Sequence, residues 1–177
     1  MPGRAVLIAR AGMADDGVMP EDVVFRPPLP GDLGWVVHRH GTVIAKEFGW
    51  DWRFEVTIAG IVGQFGRHPG REACWIAARG ETILGSVFVM PEDETTARLR
   101  VLYVEPQARG LGLGRRLVDL GIAFARDQGY RKLVLWTHEF QAAARRVYRE
   151  AGFSLVRREK TQSFGVDVIS ETWELEL

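Results

Sequence analysis

The segment Pro106-Gln107-Ala108-Arg109-Gly110-Leu111-Gly112-Leu113-Gly114-Arg115 holds the residues best suited to chemistry. An alternating strand ends at Val104, a glycine-rich turn follows, and an apolar-striped helix opens near Leu113. The first N–H groups of a helix have no intrahelical acceptor, and the helix dipole adds positive potential there. Glycines let that backbone approach phosphate oxygens closely, and Arg109 and Arg115 add fixed charge. The spacing therefore predicts an anion site of the phosphate-binding kind. Two familiar phosphate loops do not fit. The ATP-binding pattern requires a Lys after its last glycine, and none follows here. The dinucleotide pattern is Gly-x-Gly-x-x-Gly, whereas this loop reads Gly-x-Gly-x-Gly.

Other reactive side chains form no comparable group. Cys74 is the single cysteine and lies in the apolar run Ala73-Cys74-Trp75-Ile76-Ala77-Ala78, which suits a small buried hydrophobe. It has no internal disulfide partner, which fits a reducing cytoplasm. The four histidines show no metal-ligand spacing, so no metal site is expected. No apolar run approaches the ~20 residues of a membrane span, and no membrane partner is expected. Net charge is zero, without the basic excess typical of nucleic-acid binders, so no nucleic-acid partner is expected either.

The elements that must position the loop follow from periodicity. Val23-Val24-Phe25-Arg26 reads as a strand ended by Pro27-Pro28, and Asp32 as the N-cap of a helix beginning at Leu33. Helical pattern continues to Phe48 with Gly41 as a break, and a further helix runs from about Trp52 to Phe65. Two strands around Arg79-Gly80-Glu81 form a hairpin. In the strand before the glycine loop, Leu99, Val101 and Tyr103 alternate with Arg98, Arg100 and Leu102. The helix after the loop is striped by Leu113, Leu117, Leu120 and Phe124 and closes at Gln128-Gly129. A buried strand over Lys132–Thr137, a helix marked by Phe140, Ala144, Val147, Tyr148 and Ala151, and two C-terminal strands around Ser163-Phe164-Gly165 complete the chain. With 177 residues and 46% hydrophobic composition this is one mixed α/β domain around a single sheet.

The stretch Leu102–Gly114 resembles the acyl-CoA motif of the GNAT superfamily of N-acyltransferases, Gln/Arg-x-x-Gly-x-Gly/Ala. It fits in two registers, Gln107-x-x-Gly110-x-Gly112 and Arg109-x-x-Gly112-x-Gly114. The segment Ala143–Phe153, a helix carrying Tyr148 and ending in Gly152-Phe153, resembles the second motif of that superfamily. A narrower resemblance, carried by Gly31–Gly41, Glu47–Asp51 and Thr172–Leu175, is to the acetyltransferase half of bacterial proteins that fuse a MarR-type regulator to a GNAT domain.

The resemblance implies a single GNAT-like domain over residues 23–177, after a loose N-terminal arm over 1–22. Its central sheet would be mostly antiparallel, flanked by helices and splayed at the acetyl-CoA site. It implies acetyl-CoA as cosubstrate, with the backbone of Leu102, Tyr103 and Val104 pairing with pantetheine. Arg109, Gly110, Leu111, Gly112, Leu113, Gly114 and Arg115 would then hold the pyrophosphate. His138 stands where the superfamily often places an Asn that contacts pantetheine. Tyr148 matches the tyrosine that protonates the departing thiolate. Some members carry a Glu on the strand before the loop; Ala97–Val101 has none, which leaves Glu47, His38, His138 and Glu139 as candidate bases, Glu47 first. Trp35, Trp50 and Trp52 fall near the acceptor wall, either as core or as contacts for an apolar or cationic acceptor. The expected activity is transfer of acetyl to a primary amine of a small molecule. A coenzyme A sensor without turnover, or an enzyme acting on a protein or an aminoacyl-tRNA, stays open. So does pairing into a homodimer.

Overall fold

The computed structural model describes residues 22–177, so the arm expected over residues 1–22 lies, apart from Asp22, outside the described residues. The chain opens with β1 (Val23–Arg26), α1 (Asp32–Arg39), a π-helical turn (His40–Ile44), α2 (Ala45–Phe48) and α3 (Arg53–Val62). Three strands follow, β2 (Ala73–Arg79), β3 (Thr82–Pro91) and β4 (Thr96–Val104). A 3-10 turn (Pro106–Ala108) leads into α4 (Leu113–Asp127), then β5 (Lys132–His138), α5 (Ala142–Glu150), β6 (Ser154–Ser163) and β7 (Val166–Glu176). The seven strands form one sheet in the order β1-β2-β3-β4-β5-β7-β6. Every neighbouring pair is antiparallel except β4–β5. This is the mixed, mostly antiparallel architecture expected from the sequence.

Two apolar layers sandwich the sheet. On one face Val87, Val89, Ala97, Leu99, Leu133 and Leu135 pack against Leu117, Val118, Ile122 and Ala125 of α4. On the other, Ile76, Ala78, Phe88 and Met90 pack against Val36, Ala45, Phe54, Ile58 and Val62 of the N-terminal helices. The buried face of α4 is Leu113, Leu117, Val118, Gly121, Ile122 and Ala125. The expected Leu120 and Phe124 lie at its margin, because Gly121 lets α4 approach the sheet: a Cβ there would stand 3.1 Å from Val89 Cγ2.

Three local expectations change. Asp32 is not an N-cap; Gly31 occupies that position at φ 99. Asp32 is the first helical residue, and its carboxylate accepts from Leu29 N at 2.6 Å and Arg26 Nη1 at 2.5 Å. Gly41 does not break the helix. It lies inside the π-helical turn, where a Cβ would fall 2.5 Å from Glu55 Oε2 of α3. The alternation along β4 does not run through. Ser86 pairs with Tyr103 and Phe88 with Arg100, so β4 holds one extra residue opposite Val87. Val101 takes φ 54 there, a left-handed conformation that costs a β-branched residue on the order of 1–3 kcal/mol. This bulge moves the core-facing set from Ala97 and Leu99 to Leu102 and Val104, while Val101 joins the layer of the N-terminal helices.

Gly85 of β3 faces the same stretch of β4. A Cβ at that position would lie 2.5 Å from Tyr103 O, a backbone atom that cannot swing aside. Gly85→Ala is expected to cost about 1–3 kcal/mol through overpacking. Urea unfolding at neutral pH would show this as a lower midpoint with an unchanged slope.

Candidate functional site

The parallel strands β4 and β5 pair over Thr96–Arg98 and Lys132–Val134, and then separate. Beyond Arg98 the β5-facing edge of β4 has no strand partner among the described residues, so backbone N–H and C=O groups there stay available to an extended ligand. The gap opens into a cleft of about 360 Å³. Leu99–Leu102 line it from β4, and Trp136, Thr137 and His138 from β5. Ile44, Trp50, Phe54, Ile58 and Ile61 line it from the N-terminal helices, Ala144 and Tyr148 from α5, and Phe164 from the β6–β7 turn.

The glycine loop lies at the end of β4. Gly110 (φ 80) and Gly112 (φ 76) are left-handed, and Gly112 precedes the first turn of α4. The first helical hydrogen bond of α4 runs from Arg116 N to Gly112 O, at 3.1 Å. Leu113, Gly114 and Arg115 therefore start a fifteen-residue helix whose leading N–H groups are free for an anion. Arg115 donates to Asp119 Oδ1 at 2.8 Å along the exposed face of α4.

Two arginine–glutamate forks fasten the N-terminal helices to this loop. Arg39 of α1 donates to Glu105 Oε1 at 2.5 Å and Oε2 at 2.8 Å, and Glu105 is buried. Arg109 donates to Glu47 Oε1 at 3.0 Å and Oε2 at 2.8 Å, with both side chains exposed. Planar guanidinium forks of this kind fix orientation as well as distance. Helix α5 is fastened from behind. Glu171 of β7 is fully buried and accepts from Arg145 Nε at 2.9 Å and Trp173 Nε1 at 3.0 Å. Arg158 Nε stands 3.3 Å from its other oxygen. Arg145 lies one helical turn before Tyr148, so this buried pair sets where the tyrosine enters the cleft.

Burial pushes the Tyr148 phenol well above its ordinary range, so it keeps its proton at neutral pH. His138 is buried on Trp50, Trp136 and Phe140, with Nε2 3.2 Å from Ser163 Oγ, and burial lowers its pKa. The structure thus brings Leu102, His138 and Tyr148 to one cleft. Glu47 lies outside the lining, held by Arg109. His38 lines a separate depression with Trp35, Glu81 and Gln107, and Glu139 is paired with Arg158. Tyr103 turns away from the cleft to pack on Trp35 and His40, its hydroxyl buried without a hydrogen-bond partner. The three tryptophans do not cluster: Trp50 lines the cleft, Trp35 packs on Tyr103, and Trp52 is 72% exposed. Cys74 is buried, and desolvation drives its thiol pKa upward. Among the described residues no group of three or more His, Cys, Asp or Glu is placed to hold a metal ion, and no helix is long and apolar enough to cross a membrane.

Sequence reasoning passed over Arg100 and set Trp50 on the acceptor wall with Trp35 and Trp52; the fold instead groups Trp50 with Phe54 and Phe164. The Arg-Leu-Arg spacing of 98–100 was the available signal, since alternate residues of a strand share a face.

Comparison with known proteins agrees with this geometry. The model of the Acetyltransferase (GNAT) family matches residues 38–153, and the chain belongs to that family. It is 38% identical over 84 residues to N-acetyltransferase 8B of Homo sapiens, a match covering 45% of this chain and 37% of that protein. It is 38% identical over 89 residues to mycothiol acetyltransferase of Cellulomonas flavigena, covering 45% of this chain and 26% of that one. The chain therefore spans well under half the length of these two relatives. In fold it is similar to the Salmonella typhimurium acetyltransferase yncA, solved with its cofactor acetyl-CoA. That likeness has a TM-score of 0.73 at 18% identity and covers 88% of this chain and 94% of the other.

His40 lines the cleft beside Tyr103 and is almost wholly buried. Its Nδ1 donates to Val36 O at 2.8 Å, which fixes the neutral tautomer. Desolvation lowers its pKa from the ordinary 6.5 to about 4. The unfolded chain therefore binds a proton that the folded chain refuses between those values. The stabilising contribution is complete above pH 6.5 and is lost as pH falls toward 4, amounting to about 3 kcal/mol. Urea unfolding across that range should show a steeper acid loss for the natural chain than for His40→Gln.

Proposed function

We propose that this chain transfers acetyl from acetyl-CoA to a primary amine of a small molecule. The observation that carries the reading is the parting of β4 and β5 beside the glycine loop, which leaves an unpaired strand edge running into an anion-binding helix start. The free edge over Leu102–Val104 would pair with the pantetheine amides. Residues Arg109–Arg115 would hold the pyrophosphate, and His138 would flank the pantetheine arm. A cleft of about 360 Å³ suits a small acceptor. The domain so defined runs over 23–177, and its resemblance to the acetyltransferase half of MarR–GNAT fusions carries no DNA-binding role to it.

In the reaction the amine nitrogen bonds the thioester carbonyl carbon and the C–S bond breaks. The nitrogen releases its proton to solvent, and Tyr148 gives one to the departing sulfur, regaining it from water. A bound, oriented pair of reactants supplies much of the acceleration, and Tyr148 adds general-acid assistance. Among the described residues no carboxylate lines the cleft, so the amine would lose its ammonium proton beside Arg100, whose charge disfavours that cation.

That same lack of a carboxylate favours a second reading, a coenzyme A-binding sensor. Thiol release from acetyl-CoA over a panel of amines, alongside titration calorimetry with acetyl-CoA, separates the two. Binding with no release on any amine would replace the enzyme by the sensor, and no binding would end both. For the enzyme, Tyr148→Phe should lower kcat about 100-fold while the Kd for acetyl-CoA stays unchanged. For Glu47, first choice as base from the sequence, its grip on Arg109 favours a tethering role. Glu47→Gln is then expected to raise KM for acetyl-CoA several-fold and to leave kcat and its pH profile in place; loss of the basic limb of that profile would restore Glu47 as the base.

A further inference from the structure

We propose that the acceptor is an α-amino acid with an aromatic or comparably large apolar side chain, its carboxylate held by Arg100. The inference rests on the amine-acetyltransferase reading above and narrows its substrate.

Charge in the cleft is one-sided. Among the described residues its lining includes Arg98 and Arg100 and no Asp or Glu. The two guanidiniums are not equivalent. Arg98 is neutralised by Glu92, donating Nε to Oε2 at 2.6 Å and Nη2 to Oε1 at 2.7 Å. Arg100 Nη2 stands 4.0 Å from Glu92 Oε2, an oxygen already taken by Arg98, and makes no side-chain hydrogen bond among the described residues. Arg100 is therefore a partly buried cation with its donors unspent. Burial and the neighbouring Arg98 both disfavour its charge. An anion would relieve that cost, and a carboxylate matches the guanidinium fork.

The remaining wall is apolar. Trp50 meets Phe54 at 4.6 Å between centroids and Phe164 at 5.3 Å, with Ile44, Ile58 and Ile61 beside them. Trp50 Nε1 is buried with no hydrogen-bond partner among the described residues. A cationic polyamine would meet the unpaired donors of Arg100 and, among the described residues, no carboxylate in the lining. A neutral amine would leave Arg100 desolvated and unpaired. A molecule with an amine, a carboxylate one carbon away and an apolar body satisfies both the arginine side and the apolar wall.

The step is balanced as in any amide formation. The α-amino nitrogen gains the acetyl group and loses a proton, coenzyme A leaves as the thiol, and the product is an N-acetylamino acid. The carboxylate takes no part in bond making. Arg100 is thus a positioning and specificity residue.

The test compares L-phenylalanine with phenethylamine, which differs by the carboxylate alone, in the natural chain, Arg100→Gln and Arg100→Lys. Steady-state thiol release and calorimetric binding to the coenzyme A complex are both read. The natural chain should favour L-phenylalanine by roughly 10- to 100-fold in kcat/KM and in affinity, the range of a charge-assisted hydrogen bond. Arg100→Gln should erase that preference by raising KM for L-phenylalanine, with phenethylamine and acetyl-CoA unaffected, and Arg100→Lys should restore part of it. Equal use of both amines by the natural chain, or an equal loss on both in Arg100→Gln, overturns this proposal and leaves the acetyltransferase reading intact. A weaker hold on acetyl-CoA in Arg100→Gln also overturns it, by moving Arg100 to the donor site. Failure of every amine to release thiol, with acetyl-CoA bound, overturns the acetyltransferase reading, and this inference falls with it.

Discussion

Strands β4 and β5 run parallel, and a parallel pair in an otherwise antiparallel sheet is the constraint on which the site depends. A parallel connection needs a crossover element, and α4 supplies it. The crossover forces a turn at the end of β4 and a helix start directly above it, which is where an anion can be bound. It also places two strand ends side by side with nothing to keep them together once the helix has been accommodated. The bulge at Val101 then re-aims the outgoing half of β4, so that Leu102 and Val104 serve the α4 layer and Tyr103 serves α1. Parting and glycine loop are two consequences of one topological choice, and the bulge against β3 adds to them.

A cleft made by letting strands part loses the ladder that would have held its walls. The ion pairs replace it. The Arg39–Glu105 and Arg109–Glu47 forks bind the N-terminal helices to the loop, and Arg145–Glu171 binds α5 to β7. They are not equal in weight. Glu171 and Glu105 are buried, and removing a partner would strand a desolvated charge. Arg109 and Glu47 are both exposed, so their pairing adds little to stability and is easily exchanged for a phosphate. The durable pairs lie where the wall must stay still, and the exchangeable one lies beside the loop that would meet an anion.

Much of this was legible in the residues. Element order, hairpin, glycine loop and the striped helices follow from periodicity and turn chemistry, and the structure has them in the same order. The bulge was not legible, because Leu99, Val101 and Tyr103 alternate as a regular strand would; only pairing with β3 reveals the extra residue. Gly41 read as a helix break because glycine is the usual punctuation, whereas it lies inside a continuous π-helical turn with the Glu55 side chain of another helix lying over it. The aromatic wall was misjudged for a similar reason. Trp50 and Trp52 are two residues apart, yet a turn separates their surroundings, and Phe164 arrives from far along the chain. Contacts of long sequence separation leave no local trace.

The π-helical turn His40–Ile44 joins α1 to α2 without a loop. A π turn holds one residue more than the α-helical turn it replaces, and each residue advances an α-helix by about 100°. The turn therefore sets the rotational phase of everything after it relative to everything before it. Arg39 stands ahead of the turn and Glu47 beyond it, and each meets a different part of the same loop. Their joint fit is a matter of counting residues as much as of side-chain identity. Deleting one residue within 40–44 would keep both charged partners in the sequence and turn one of them away from its mate. In this part of the molecule, chain length itself is a specificity-bearing quantity.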